Sequence, residues 1–215
     1  MNSRFVPSNR FWYIATSRAH LTAIDPAAQV ARLGNGESLA YQQLVLATGS
    51  RARPLSIPGE KLPGVYSLRT IEDVVAVREG LQDGTIDAIA TDHAPHAAHL
   101  KDQDLLAAPP GMLGLQSALG VALKYSGCSV QRVIELMSWA PARIAGLTAR
   151  QGNAVASGNI ANLVVFNPAA QWEQSLEQLV SKSQNTPYLG LPLQGQVQCV
   201  LRDGKVIVEA GVITK

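Results

Sequence analysis

Asp92 and His96 stand four positions apart in Thr91-Asp92-His93-Ala94-Pro95-His96, with a proline between them. Pro95 breaks a helix, so the pair belongs to a loop and not to one helical face. A carboxylate in such a loop can ligate a divalent metal or take a proton from metal-bound water, and an imidazole beside it can bind an anionic substrate. The same spacing also suits a helix-capping aspartate with solvated histidines. A second candidate is Leu44-Val45-Leu46-Ala47-Thr48-Gly49-Ser50. There an apolar run ends at a glycine, and a backbone without a side chain can approach a cofactor closely.

The elements that must position these groups follow from local pattern. Residues 19–25 and 30–33 read as strands separated by a turn at Pro26-Ala27-Ala28, with Gly34-Asn35-Gly36-Glu37 as a second turn. Residues 44–47 are continuously apolar, which predicts a strand buried on both faces. Pro54, Pro58 and Pro63 with Gly59 and Gly64 mark an extended connector. Thr70 is placed to cap a helix over residues 70–79, with Gly80 to end it. Ile86-Asp87-Ala88-Ile89-Ala90-Thr91 reads as a short strand, and Asp92 sits where it runs out. Polar residues at strand ends of α/β proteins line the functional face.

Helices are expected over residues 113–125 and 130–137. In the second, Val130, Val133, Ile134 and Met137 recur at helical spacing behind the cap Ser129. Pro141 suits a first helical position and Gly146 a helix stop. The tail changes character at Gly158. Leu163-Val164-Val165-Phe166 reads as a strand, and residues 197–202 pair naturally with 205–209 across Asp203-Gly204. Together these give a mixed α/β pattern followed by a small β region.

Composition narrows the partners. The 215 residues are 47% hydrophobic, enough for a sizeable core. Eighteen basic and sixteen acidic residues give a formal charge of +2, with no basic block and 5% aromatics. That balance argues against nucleic-acid and membrane-surface partners. Cys128 and Cys199 form no Cys-x-x-Cys pair, so a reducing cytoplasm is the expected compartment. No apolar run approaches the roughly 18 residues that span a bilayer. Arg4, Arg10 and Arg18 precede the first acid, Asp25. That is the composition of a weak transit peptide, and a shortened domain start explains the same residues.

The stretch Gly80-Leu81-Gln82-Asp83-Gly84-Thr85 continuing through Ile86 to His96 resembles the end of the barrel in bacterial type I dihydroorotases of the amidohydrolase superfamily. The likeness continues through Ala108-Pro109-Pro110-Gly111, Gly114-Leu115, Pro141-Ala142-Arg143 and Gly146-Leu147. Further on it takes in Asn162 to Phe166, Ser181-Lys182-Ser183-Gln184-Asn185-Thr186-Pro187-Tyr188-Leu189-Gly190 and Asp203-Gly204-Lys205-Val206. It covers residues 80–215. The resemblance implies reversible closure of N-carbamoyl-aspartate to dihydroorotate with one or two zinc ions. It makes Asp92 the metal-associated carboxylate that shuttles the proton and His96 a contact to the substrate carboxylate. Backbone groups at Ala108, Pro110 and Gly111 would line the same pocket, and His93 and His99 receive no catalytic role.

The family draws most of its zinc ligands from a His-x-His pair, a carboxylated lysine and two further histidines. This chain has four histidines, His20, His93, His96 and His99, and no His-x-His. A zinc site needs at least three protein ligands, and Asp92 is one.

Residues 18–78 resemble another family, the FAD-dependent reductases of the ferredoxin or rubredoxin type. The residues that carry this are Thr22-Ala23-Ile24-Asp25, Gly36-Glu37-Ser38-Leu39-Ala40-Tyr41, Leu44 to Ser50, Pro58-Gly59, Leu62-Pro63-Gly64-Val65 and Leu68-Arg69-Thr70. That resemblance implies that Ala47, Thr48 and Gly49 approach the FAD. The chain has no Gly-x-Gly-x-x-Gly, and without it the pyrophosphate loses its main anchor, so FAD binding is not expected.

The combined expectation is an α/β chain. A β-rich fragment of an FAD-binding Rossmann-like domain (1–79) precedes the end of a (β/α)₈ amidohydrolase barrel (80–157) and a C-terminal β-sandwich portion (158–215). A lone barrel strand leaves edge groups and apolar faces unpaired, so association with a protein partner that completes the fold is expected. Three functions stay open: a dihydroorotase-like hydrolase acting on a small molecule, a flavin-dependent reductase remnant, and a non-catalytic dihydroorotase-like partner of aspartate transcarbamoylase.

Overall fold

The computed structural model describes residues 20–46 and 49–214. The chain divides into two compact units, residues 1–51 and 52–215. In the first, β1 (Leu21–Asp25), β2 (Val30–Leu33) and β3 (Ser38–Ala40) form an antiparallel meander. Asp25 shapes the first turn: its carboxylate accepts the amides of Ala27 and Ala28 at 3.1 and 2.9 Å. The pleat sends Ala31 and Leu33 inward.

The strand expected at residues 44–47 does not form over its described residues. Positions 44–46 carry no strand, and Val45 and Leu46 are 86% and 59% exposed. The sheet ends at β3, so this apolar run has no ladder to join.

In the second unit, α1 (Ile71–Asp83) begins at a capping box. The Thr70 hydroxyl accepts the Asp73 amide, and the Asp73 carboxylate accepts the Thr70 and Arg69 amides. These amides hold the Asp73 carboxyl below its usual range, that of Thr70 contributing most. The helix runs past Gly80 to a left-handed C-cap at Gly84. Gly80 is buried, and a Cβ there would lie 3.1 Å from Ile86. Its missing side chain therefore admits Ile86 and does not stop the helix. The opposite face is open: Ile71 and Val74 are 77% and 53% exposed.

Residues 86–91 carry no strand, contrary to expectation: Ile86 lies in a bend and 87–91 have no regular structure. A parallel strand exists only through neighbours, and these residues are held instead by helices. Short helix α2 (Ala98–Lys101) precedes α3 (Ala118–Tyr125), shorter than the expected 113–125 because residues 115–117 form a turn and the Leu113 amide is taken by Asn185 O.

The helix expected at 130–137 continues to 144 in three parts: α4 (Val130–Ile134), a π-helical turn (Glu135–Trp139) and α5 (Ala140–Ile144). Pro141 gives the physical reason. Within the helix its ring crowds the preceding turn and it has no N–H to donate, which a π-turn accommodates. The Ala140 amide reaches back to Glu135 O, so the next five-residue step would join position 141 to Leu136 O. Pro141 leaves that carbonyl free, and the Ile89 amide takes it at 2.9 Å. Gly146 ends α5 in the left-handed region, with its own amide on Arg143 O and that of Leu147 on Ala142 O.

The core gathers Ala122, Leu123 and Val133, with Ile89, Leu119, Cys128, Met137 and Phe166 packed against them. The tail is a four-stranded antiparallel sheet of β4 (Leu163–Glu173), β5 (Pro192–Arg202), β6 (Lys205–Glu209) and β7 (Val212–Ile213), in sequence order. Asp203 and Gly204 both take positive φ, the signature of the two-residue hairpin turn their sequence predicts. Pro168 lies in the irregular stretch of β4, where it removes a ladder donor. Helix α3 packs on β5 at Gly120, where a Cβ would sit 3.0 Å from that of Leu193.

Candidate functional site

Residues 91–96 continue from segment 86–91, and Arg132 anchors the start of that segment. Its guanidinium donates to Leu81 O at 2.9 Å, to Ile86 O at 3.0 Å and to Glu135 Oε2 at 2.9 Å. The Arg132 hydrogen bond, supported by Arg143, keeps the Glu135 carboxyl ionised below its usual range.

Beyond Thr91 the loop is fastened backbone to backbone. His93 pairs with Met112 in a parallel bridge, and the Ala94 amide donates to Met112 O at 2.9 Å. The His93 ring is a structural anchor: its Nδ1 accepts the amides of Gly114 at 3.1 Å and Leu115 at 3.4 Å. The sequence left this histidine without a catalytic role, and its geometry is that of a loop tie.

His96 is half-buried, and its Nε2 lies 3.1 Å from Pro110 O. A carbonyl can only accept, so Nε2 carries the proton and Nδ1 is the free position of the neutral ring. A carboxylate held at Nδ1 therefore requires the doubly protonated imidazole, whereas the neutral ring accepts a donor there. Asp92 is exposed on the same loop.

The loop is clamped from a distant part of the chain. Ser183, which is buried, accepts the His96 amide at 3.2 Å and donates its hydroxyl to His96 O at 2.6 Å. Asn185 donates its amide nitrogen to Ala94 O at 3.0 Å and Gly111 O at 3.2 Å. Its backbone carbonyl accepts the Leu113 amide at 3.0 Å. Lys101 closes the other side, donating to Pro109 O at 2.7 Å and Gly111 O at 2.8 Å. Gly111 has φ 117°, and a Cβ there would stand 2.6 Å from Ala94 Cβ and 3.3 Å from His96 Nε2. Only glycine fits this turn.

The structure thus joins His96 to Pro110 by a direct hydrogen bond, with Gly111 beside them held through Asn185 and Lys101 and Asp92 on the same loop. Ala108 lies two residues from Pro110, its amide bonded to Asp104 O at 2.9 Å. Lys101, Ser183 and Asn185 are the members that residue-type reasoning missed. The signal for the last two was the Ser181-to-Gly190 stretch, to which the sequence alone gave no role. Of the flavin-type turn, Ala47 and Thr48 lie outside the described residues, and Gly49 has φ 71°.

Among the described residues no three His, Cys, Asp or Glu side chains come close enough to hold a metal ion. The zinc centre implied by the dihydroorotase resemblance does not fit this donor set. His96 has one ring nitrogen committed to Pro110, and His93 has one committed to Gly114 and Leu115. No helix among the described residues is long and apolar enough to cross a membrane.

Comparison with known proteins sets this geometry in context. The sequence pattern of the Amidohydrolase family matches residues 17–207, and so runs through the segment that resembles the reductases. The chain is 46% identical over 143 residues to a dihydroorotase of Sulfurihydrogenibium sp., covering 65% of this chain and 33% of that protein. It is 43% identical over 150 residues to a dihydroorotase of Mycobacterium tuberculosis, covering 68% and 35%. Among solved structures it is similar to an L-hydantoinase (dihydropyrimidinase) from Arthrobacter aurescens, with a TM-score of 0.62 and 26% identity over 68% of this chain and 34% of that one. A D-hydantoinase gives 0.61 and 25%, over 67% and 33%. The chain spans about a third of the length of these relatives. With nine-tenths of its residues inside the family pattern, the chain belongs to the amidohydrolase family.

Proposed function

We propose that this chain carries the proton-transfer and substrate-contact portion of a dihydroorotase-like cyclic amide hydrolase. The observation that carries the reading is the bond between His96 Nε2 and Pro110 O, which joins the Asp92 loop to the Gly111 turn. The reaction adds water across the ring amide, the hydroxyl going to the carbonyl carbon and the proton to the departing nitrogen. Closure is the reverse. Asp92, exposed at the loop, takes the water's proton and returns it to nitrogen. His96, protonated at both nitrogens, keeps its bond to Pro110 and offers Nδ1–H to the substrate carboxylate. Backbone groups at Ala108, Pro110 and Gly111 line the same pocket.

Zinc belongs to this reading by family resemblance. Among the described residues Asp92 is the one donor this reading names for it, and no step is assigned to it. The organisation that goes with the reading is a barrel end over residues 80–157 and a β portion over 158–215, in a cytoplasmic protein completed by a protein partner. The segment 1–79 is read as a reductase-like fragment on its sequence resemblance alone.

The deciding experiment is metal analysis of the size-selected chain together with dihydroorotate hydrolysis. Turnover abolished by Asp92→Ala supports the reading, and a folded chain without turnover in added zinc, whether or not it retains the metal, rejects it. A second reading, a non-catalytic dihydroorotase-like partner of aspartate transcarbamoylase, is favoured by the donor set, which offers Asp92 but no three-ligand group among the described residues. Co-purification with that enzyme, without turnover, would select it.

A further inference from the structure

The Asn185 side chain lies at the junction of three backbone segments separated by long stretches of chain. Two carbonyls, Ala94 O and Gly111 O, face one end of its amide and fix that end as NH2. Its Oδ1 then faces the Ser183 hydroxyl and the His96 amide, the latter at 3.4 Å. A reversed amide would set an oxygen against two carbonyl oxygens and an NH2 against the His96 N–H, so this orientation serves both carbonyls and the His96 N–H, while the single Ser183 hydroxyl hydrogen has two acceptors, His96 O and Asn185 Oδ1. Ser183 completes the set by accepting the His96 N–H and donating to His96 O. The backbone of His96 is thus bonded on both its N–H and its C=O by side chains from residues 183–185. The carbonyl that receives its ring proton, Pro110 O, adjoins the Gly111 carbonyl held by Asn185.

We propose that Asn185, assisted by Ser183, is a positioning residue for His96. It fixes the spacing between residues 94–96 and 110–111, and so holds the imidazole with Nε2–H on Pro110 and Nδ1 as the one ring position open to a ligand. This rests on the reading of His96 as a substrate contact, but it concerns the ring's placement and stands without turnover. Asn185 acts through two backbone carbonyls and one amide, which makes the effect of its loss local. The Arg132 anchor and the Val133 core lie on other residues.

The test is histidine ring ¹H–¹⁵N spectroscopy of the full chain, with His96 assigned by His96→Gln. In the wild-type chain the His96 Nε2–H proton is expected as a slowly exchanging signal, because a fixed bond to a carbonyl protects it. Asn185→Ala is expected to abolish that signal while Val133 methyl resonances keep their folded positions. Ser183→Ala is expected to weaken it, Ser183→Thr to preserve it, and Gln184→Ala, an exposed neighbour outside the clamp, to leave it unchanged. Should Asn185→Ala not fold, the Ser183→Ala and Ser183→Thr pair decides. A protected signal surviving in folded Asn185→Ala, absent from the wild-type chain, or equal in the two Ser183 variants overturns the proposal. Failure of the hydrolysis assay with this pattern intact would reject the catalytic reading and leave the positioning role standing.

Discussion

The amide of Ile89 donates to the carbonyl of Leu136 at 2.9 Å, and that carbonyl is free because Pro141 has no hydrogen to offer it. An imino acid in one helix thereby holds the segment that leads to Asp92. Replacing it restores a competing donor inside the helix. Pro141→Ala is expected to raise the exchange rate of the Ile89 amide by roughly five-fold, the equivalent of about 1 kcal/mol for one hydrogen bond. Residue-resolved hydrogen exchange measures it, and an unchanged Ile89 rate would show that the bond does not depend on the proline.

Arg132 and Arg150 both form ion pairs, and their surroundings separate them. Arg132 is 18% exposed and also serves two carbonyls, whereas Arg150 is 63% exposed and meets only Asp203 with its side chain. Arg132→Ala should destabilise the second unit by about 1–3 kcal/mol, since it strands three half-buried acceptors. Arg150→Ala should cost roughly 0–1 kcal/mol. Urea unfolding followed by circular dichroism distinguishes them, and equal losses would contradict the argument.

Stability is expected to fall as acid is added. The carboxyls of Glu135 and Asp73 are both held below their unfolded values, Glu135 chiefly by its hydrogen bond from Arg132 and Asp73 chiefly by the Thr70 amide. A depressed folded value means stabilisation that is complete above the unfolded values of 4.5 and 3.8 and is lost as pH drops through the lower, folded ones. The urea midpoint measured from pH 6 downward should decline below about pH 4.5, and Glu135→Gln with Asp73→Asn should flatten that decline.

Two glycines with positive φ make a contrast, Gly111 at the site and Gly84 at the end of α1. Gly111→Ala places a methyl 2.6 Å from Ala94 Cβ, while at Gly84 the nearest atom to a new Cβ is the tip of Arg132 at 3.9 Å. Gly84→Ala carries only the conformational cost, about 1–2 kcal/mol. Gly111→Ala adds a steric one and is expected to release the His96–Pro110 contact, visible as loss of protection at the Ala94 amide. Equal effects of the two would discount the packing argument.

Local chemistry was legible in the sequence, and distant chemistry was not. Asp203-Gly204 specified its turn, Ser129 and Thr70 specified helix starts, and Gly146 a helix end, because each is decided within a few residues. Gly80 misled because its missing side chain answers to Ile86 and not to the helix terminus. Residues 44–46 and 86–91 misled because strands require neighbours, and an apolar run alone cannot supply them. At the candidate site, the Asp92-to-His96 loop and the Pro110-Gly111 turn could be picked out by residue type. Ser183 and Asn185 could not be given roles, since their work is done on backbone atoms 74 to 91 positions away.

That separation has a temporal side. Ala94 and Asn185 are 91 residues apart, and translation proceeds at about 5–20 residues per second. The loop bearing Asp92 and His96 is therefore synthesised on the order of ten seconds before the side chain that ties it down. Helix α1, capped by its own neighbours, needs no such wait, and neither does the β5–β6 hairpin once made. The candidate site is thus a portion of this chain whose geometry waits on residues made long after its own.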